Sequence, residues 1–288
     1  MKKIIAGFML IFKRILKKSS LLAQMYRNLR VRKKLSAEVT FKKALGFKFN
    51  GPDDMESGQF EPDETYIFES LIEKFDLFVN IGANTGYYVL KALDKGIESL
   101  AFEPNDLNVK LLLHNINANE FSAVCHVFPL ALSDRVGILP IFGASTGASL
   151  VKGWAGQNHH ELVPVTQFDI LSKSIVQDKK SFILIDIEGA EFSCLKGAEK
   201  VLLNNDQTTF MIEICTTEHQ PDDIKINPNL LATFELFFSY GFLGYTANRE
   251  FHQVSIDEVH TIVNTQEDSF GTHNFLFTKD RDLLKSLK

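Results

Sequence analysis

No Asp or Glu occurs before Glu38, although the 288-residue chain holds 36 of them. Eleven of its 31 Lys and Arg residues stand in that stretch unopposed, so the formal charge of −5 hides a basic arm joined to a body with 20 basic and 36 acidic residues. A body of that balance repels a phosphate backbone, which excludes nucleic acid as a general partner and leaves the arm to find an anionic one. Long apolar runs are missing too. The run at residues 4–12 is too short to span a bilayer, and Lys13-Arg14 follows it where a leader would carry a small-residue cleavage site. Cysteine is scarce: Cys125, Cys194 and Cys215 are odd in number, widely spaced and flanked by apolar residues. They form no Cys-x-x-Cys or Cys/His pattern, so no metal site is expected, and reduced buried thiols in a cytoplasmic protein are. No internal repeat or low-complexity block is present.

What is there is a helical arm and an alternating body. Ile4, Phe8, Ile11, Ile15, Leu22, Met25 and Leu29 recur at three-, four- and seven-residue spacing beside basic residues. This pattern predicts a basic amphipathic helix through residue 34, suited to peripheral contact with an anionic membrane, the alternative being a helix packed on the body or on a second subunit. The arm is placed at 1–37 and one domain at 38–288. From residue 62 helices and strands alternate: strands at 77–81, 99–103, 124–128, 181–186 and 209–214, and helices at 62–74, 85–95, 106–117, 190–203 and 229–240. Such alternation predicts an α/β fold with a parallel sheet and helices on both faces. Residues 132–168 break the rhythm and are expected to form an insertion beside a ligand cleft. Gly244-Tyr245 and residues 274–278 read as the arms of a closing hairpin. Many of the 25 Phe residues fall in strand-like runs, and core packing accounts for most of them.

The most informative stretch is Asn80-Ile-Gly82-Ala83-Asn84-Thr-Gly86 after an apolar strand, with Glu103 lying 21 positions beyond Gly82. Paired glycines let the chain turn close to a ligand, and an acid ending the next strand can grip a ribose diol. Asn84 stands where a dinucleotide fingerprint needs its middle glycine. A cofactor without a pyrophosphate fits better, and S-adenosylmethionine is the candidate. Gly82 is expected to tolerate no side chain, with Gly82→Val losing the cofactor but keeping the fold. A second apolar strand runs into Asp186-Ile-Glu188-Gly-Ala-Glu191, and a third ends at Glu213. Carboxylates at strand ends need a cation, a donor or a substrate. Glu191 reads as a helix-terminus group. Asp186, with Glu188 and Glu213 behind it, is the candidate catalytic group. His159, His160 and His219 read as solvated loop residues.

Asn80-Ile-Gly-Ala-Asn-Thr-Gly-Tyr-Tyr88, Phe102-Glu-Pro104, Ala131-Leu-Ser-Asp134, Gly147-Ala-Ser-Leu150, Val163-Pro-Val-Thr166 and Ile185-Asp-Ile-Glu-Gly-Ala-Glu191 follow one another in the chain. In that order they resemble the FkbM family of S-adenosylmethionine-dependent methyltransferases. The resemblance implies the class I methyltransferase fold, Rossmann-like, with seven mostly parallel strands whose last members run antiparallel. It implies that Asn80, Gly82, Ala83, Asn84 and Gly86 line the methionine end of the cofactor, that Glu103 holds the ribose and that Ala131 flanks the adenine. One departure stands out, since the family usually has Asp where this chain has Asn80. The expected activity is O-methylation of a sugar hydroxyl on a glycan or glycolipid. A polyketide-like or other small-molecule hydroxyl, a nicotinamide-dependent oxidoreductase and a non-catalytic membrane-associated binding protein are the alternatives.

Overall fold

The computed structural model describes residues 20–143, 147–171, 176 and 179–286. Helix α1 (Ser20–Leu35) leads into a short hairpin of β1 (Phe41–Lys42) and β2 (Phe47–Lys48), then α2 (Asp53–Glu56) and α3 (Pro62–Leu71). Val31 of α1 is buried with Leu107 and Leu111. Arg30 and Lys34 pair with Asp53, and Lys34 also with Glu56. The end of the basic arm thus docks on the body, and its more distal positions, 1–19, lie outside the described residues. No described helix is long and apolar enough to cross a membrane.

The body is an α/β alternation. Strand β3 (Leu77–Ile81), helix α4 (Tyr87–Asp94), strand β4 (Glu98–Phe102), helix α5 (Asp106–Ala118) and strand β5 (Cys125–Phe128) come first. A second, three-stranded sheet follows, made of β6 (Ala131–Leu132), β7 (Gly137–Phe142) and β8 (His160–Thr166), with β8 central. Then come α6 (Phe168–Leu171), β9 (Ser181–Ile185), α7 (Glu191–Lys196), β10 (Thr208–Glu213), α8 (Leu230–Ser239), β11 (Leu243–Thr246), β12 (Gln253–Val254), α9 (Ile256–Thr265) and β13 (Asn274–Thr278). The main sheet has the order β12-β11-β13-β10-β9-β3-β4-β5, parallel from β10 to β5 and antiparallel where β13 and β11 join it. The seven-stranded expectation holds with one addition, the two-residue β12 at the edge.

Central strands are buried on both faces, as their continuous apolar sequence requires. Leu77, Val79 and Ile81 of β3 enter one core with Leu195, Phe234 and Val259, whereas Phe78 enters the other with Phe68 and Leu90. Cys125, Cys194 and Cys215 are free, buried thiols, and burial pushes the Cys125 thiol up to about 12, so it stays protonated and inert.

The structure departs from the expected elements at three places. The helix expected at 190–203 breaks at Gly197, where a Cβ would lie 2.0 Å from the Ser133 carbonyl oxygen. A new turn starts behind it because the Asp169 carboxylate accepts from the amides of Lys200 and Val201. Strands β11 and β13 pair antiparallel, but their connection holds β12 and α9, so they are no tight hairpin. Helix α9 had a legible start, since Ser255 and Glu258 form a reciprocal capping box.

Candidate active site

The carboxyl ends of β3, β4, β9 and β10 open into one cleft of about 920 Å³, its open mouth included. This is the place where open α/β sheets bind ligands. Gly82, Asn84, Glu103, Ala131, Asp186, Glu188 and Glu213 line it, together with Phe60, Glu61, Asn108, Leu130, Ile141 and Leu150 among others. Of the residues the sequence singled out, Asn80, Ala83 and Gly86 do not line it.

The loop after β3 closes tightly on its neighbours. Gly82 has φ 92°, and a Cβ there would stand 1.9 Å from the Asp186 carbonyl oxygen. The Asp186 amide in turn donates to the Ile81 carbonyl at 3.0 Å, so the ends of β3 and β9 are laced together. Gly86, at φ 94°, opens α4, and a Cβ there would press on Leu112 of α5. The loop's amides are already used. Gly82 and Ala83 donate to the Phe102 carbonyl, Gly86 donates to the Ala83 carbonyl, and Asn84 donates to Glu103 Oε2 at 2.7 Å. A phosphate cradle needs such amides free. This loop offers none of those four.

Glu103, at the end of β4, is clamped on both oxygens. Oε2 takes the Asn84 amide, and Oε1 takes the Asn105 amide at 2.8 Å and Asn108 Nδ2 at 3.4 Å. Burial outweighs those donors and raises its carboxyl to about 7. On the next strands, burial raises both Asp186 and Glu213, which face each other across β9 and β10 and share a hydrogen bond. Two adjacent buried carboxylates cannot both ionise freely, so they hold one proton between them, favoured on Glu213. His273 Nε2 stands 3.6 Å from Glu213 Oε1. Glu61, at the start of α3, is pushed up to about 8 by burial and then by the Asp186 charge.

The wall facing these acids comes from the segment that breaks the alternation. Trp154 donates its indole N–H to Glu188 Oε2 at 2.7 Å and covers Gly189 so closely that a Cβ there would meet its ring at 2.4 Å. The Ser149 hydroxyl donates to the Glu188 carbonyl, while β7 contributes Ile141 to the cleft. Burial raises the Glu188 carboxyl, opposed by that indole. Glu191 does not line the cleft. Its Oε1 accepts from the amides of Gly189 and Ile187, so it holds the turn before α7 and not the helix terminus that its sequence position suggested.

No Lys, Arg or His is among the described residues lining the cleft, against five carboxylates. Glu61, Tyr88, Trp154 and Asn108 were missed by sequence reasoning. Glu61 precedes Pro62 and reads as a helix-start acid. Only the fold turns it towards Asp186.

The raised carboxyls have a consequence for stability. Groups whose folded pKa exceeds the unfolded value stabilise most at low pH, and that contribution is lost as pH rises through the folded value. With Glu103 near 7 and Glu61 and Glu191 near 8, against an ordinary carboxyl value of 4.5, the ligand-free protein is expected to melt progressively lower between about pH 5 and pH 8. Thermal unfolding across that window checks this. A flat or rising melting temperature contradicts it.

A parallel sheet extended by antiparallel β13 and β11, with a glycine loop after the first core strand and an acid after the second, defines a class I methyltransferase. The model of the methyltransferase FkbM domain matches residues 80–243, and the chain belongs to that family. S-adenosylmethionine is the family's usual cofactor. Among solved structures, the chain is similar to precorrin-6y C5,15-methyltransferase from Geobacter metallireducens GS-15 at 10% identity, covering 72% of this chain and 82% of that one with a TM-score of 0.40. Monomeric WbdD is similar at 11% identity, over 86% of this chain and 48% of that one, with a TM-score of 0.43. An O-methyltransferase family protein from Burkholderia thailandensis is similar at 11% identity, over 90% and 69%, with a TM-score of 0.37. No curated protein matches the chain.

Proposed function

We propose that the protein is an S-adenosylmethionine-dependent O-methyltransferase acting on a sugar hydroxyl of a glycan or glycolipid. The observation that carries the cofactor is the pairing of five cleft carboxylates, without a described basic residue, with a loop whose amides are largely spent. A cation without phosphates suits that site, and an anionic nicotinamide dinucleotide does not. Buried Oδ1 atoms of Asn84 and Asn108, both lining the cleft, have no partner among the described residues and await a donor.

When bound, S-adenosylmethionine supplies a methyl group on a cationic sulfur that leaves as a neutral thioether. Glu103 would hold the ribose diol, the turn at Gly82 to Asn84 the methionine end, and the wall at Leu130, Ala131 and Leu132 the adenine. Asp186 would accept the proton of the acceptor hydroxyl, with Glu213 as its proton-sharing partner. An alcohol is a weak nucleophile and gains from such a base. The inserted wall excludes water and shapes the acceptor side.

Replacing Glu103 with Ala is expected to weaken S-adenosylhomocysteine binding about tenfold to several hundredfold, since up to two charge-assisted hydrogen bonds are lost. Titration calorimetry on the folded variant measures this, and unchanged affinity moves the ribose site elsewhere. The acceptor is tested by incubating methyl-labelled donor with sugar, lipid-linked sugar and polyketide-like alcohols. Label recovered as a sugar methyl ether supports the reading. Label on the polyketide-like alcohol alone replaces it, and cofactor binding without turnover on any of them favours a non-catalytic role.

The arm adds a location. Residues 1–19 hold six basic residues beside an apolar spacing, and each basic residue near an anionic surface contributes roughly 1 kcal/mol. Removing residues 1–19 while keeping the docked end of α1 is expected to abolish pelleting with anionic vesicles and to leave methyl transfer to a soluble acceptor intact. Unchanged pelleting counts against a peripheral membrane role.

A further inference from the structure

We propose that Glu61, which lies before the matched family segment, is the counter-ion for the α-ammonium of the bound cofactor, an inference that rests on the cofactor reading above.

Glu61 occupies the position that normally caps a helix, directly before Pro62 at the start of α3. An acid there ordinarily folds its side chain onto the first-turn amides. Glu61 makes no such bond. Its backbone adopts φ 41° and ψ 71°, a left-handed conformation that costs a non-glycine residue free energy and persists only where the surroundings enforce it. The carboxylate instead lines the main cleft and also the small cavity between Tyr88, Asp186 and Glu213. There the Tyr88 hydroxyl donates to Glu61 Oε2 at 2.9 Å, and Tyr88 is itself buried.

A carboxylate turned away from its helix and held beside Asp186, with no described Lys or Arg lining either cavity, has no positive partner among the described residues. Burial raises its carboxyl to about 8, the mark of an acid waiting for a cation. A primary ammonium presents three donors. Glu61 and Asn84, whose Oδ1 has no partner among the described residues, line the same cleft and offer acceptors to it. Asn80, whose buried Oδ1 also lacks a partner among the described residues, brings no charge to this end. Glu61 brings it.

The test is titration calorimetry with S-adenosylhomocysteine, which carries the ammonium, and 5′-methylthioadenosine, which shares the adenosine and thioether but lacks the amino acid. Glu61→Gln keeps the size and the bond from Tyr88. It is expected to lose about ten- to hundredfold in affinity for S-adenosylhomocysteine, as for one charge-assisted contact, and to bind 5′-methylthioadenosine within twofold of the wild type. Tyr88→Phe, which frees the carboxylate without removing it, is expected to shift the same ligand in the same direction by a smaller factor. Equal losses for both ligands, or none for either, overturn the assignment. A Glu61→Gln protein that fails to fold also overturns it, because the residue would then be structural. Wild-type protein that binds neither ligand instead overturns the cofactor reading itself.

Discussion

Asp186→Asn is expected to lower turnover by roughly 10²–10⁴ while cofactor affinity stays within severalfold. Asp186 ends β9 at the cleft, beside Glu213 on β10, and the two carboxylates share a proton in a buried setting. Asn preserves size and a hydrogen bond to Glu213 but cannot take a proton from an acceptor hydroxyl. If Asp186 only anchors the acceptor, KM rises while kcat survives, because binding common to ground and transition states has been lost. Steady-state kinetics separate these outcomes. Both constants unchanged would remove Asp186 from the chemistry and turn attention to Glu213. Because the Glu213 hydrogen bond lowers the Asp186 carboxyl, Glu213→Leu, which removes that bond, is expected to raise the pH at which activity appears.

Gly82→Val is expected to prevent folding, and Gly82→Ala to cost about 3–5 kcal/mol. Two penalties coincide at this position. Its φ of 92° disfavours any L side chain, and a Cβ would enter the Asp186 carbonyl oxygen at 1.9 Å. That oxygen belongs to backbone laced to Ile81, so it has no rotamer by which to retreat. The sequence suggested that the fold survives such a change and only the ligand is lost. The structure reverses the order, because what Gly82 makes room for is the end of the neighbouring strand. Chemical denaturation of Gly82→Ala measures the cost, and a loss below about 1 kcal/mol contradicts the close packing.

Much of the site was legible because it follows strand periodicity. Apolar runs ending in Gly82, Glu103, Asp186 and Glu213 mark carboxyl edges of parallel strands, and one sheet brings all four to one cleft. Glu61 was hidden for a physical reason. A proline-led helix start predicts an acid that caps, and nothing local reveals that tertiary packing turns the chain left-handed there. The role of Trp154 was equally invisible, since its hydrogen bond to Glu188 spans 34 positions and depends on how the second sheet packs. The break at Gly197 needed knowledge of the Ser133 carbonyl, again a distant contact. By contrast, the start of α9 is marked locally, because the reciprocal bonds of Ser255 and Glu258 need no distant contact.

Titration calorimetry of the ligand-free protein at pH 8 with S-adenosylmethionine, S-adenosylhomocysteine and NAD tests the electrostatic reading of the cleft most directly. The expected result is one-to-one binding of S-adenosylmethionine, with protons released to buffer when the titration is repeated at pH 6.5, as the raised carboxyls of Glu103 and Glu61 ionise around the cation. NAD should give no saturable heat. NAD binding as tightly as S-adenosylmethionine, or S-adenosylmethionine binding with no proton release, would contradict a cleft built for a phosphate-free cation.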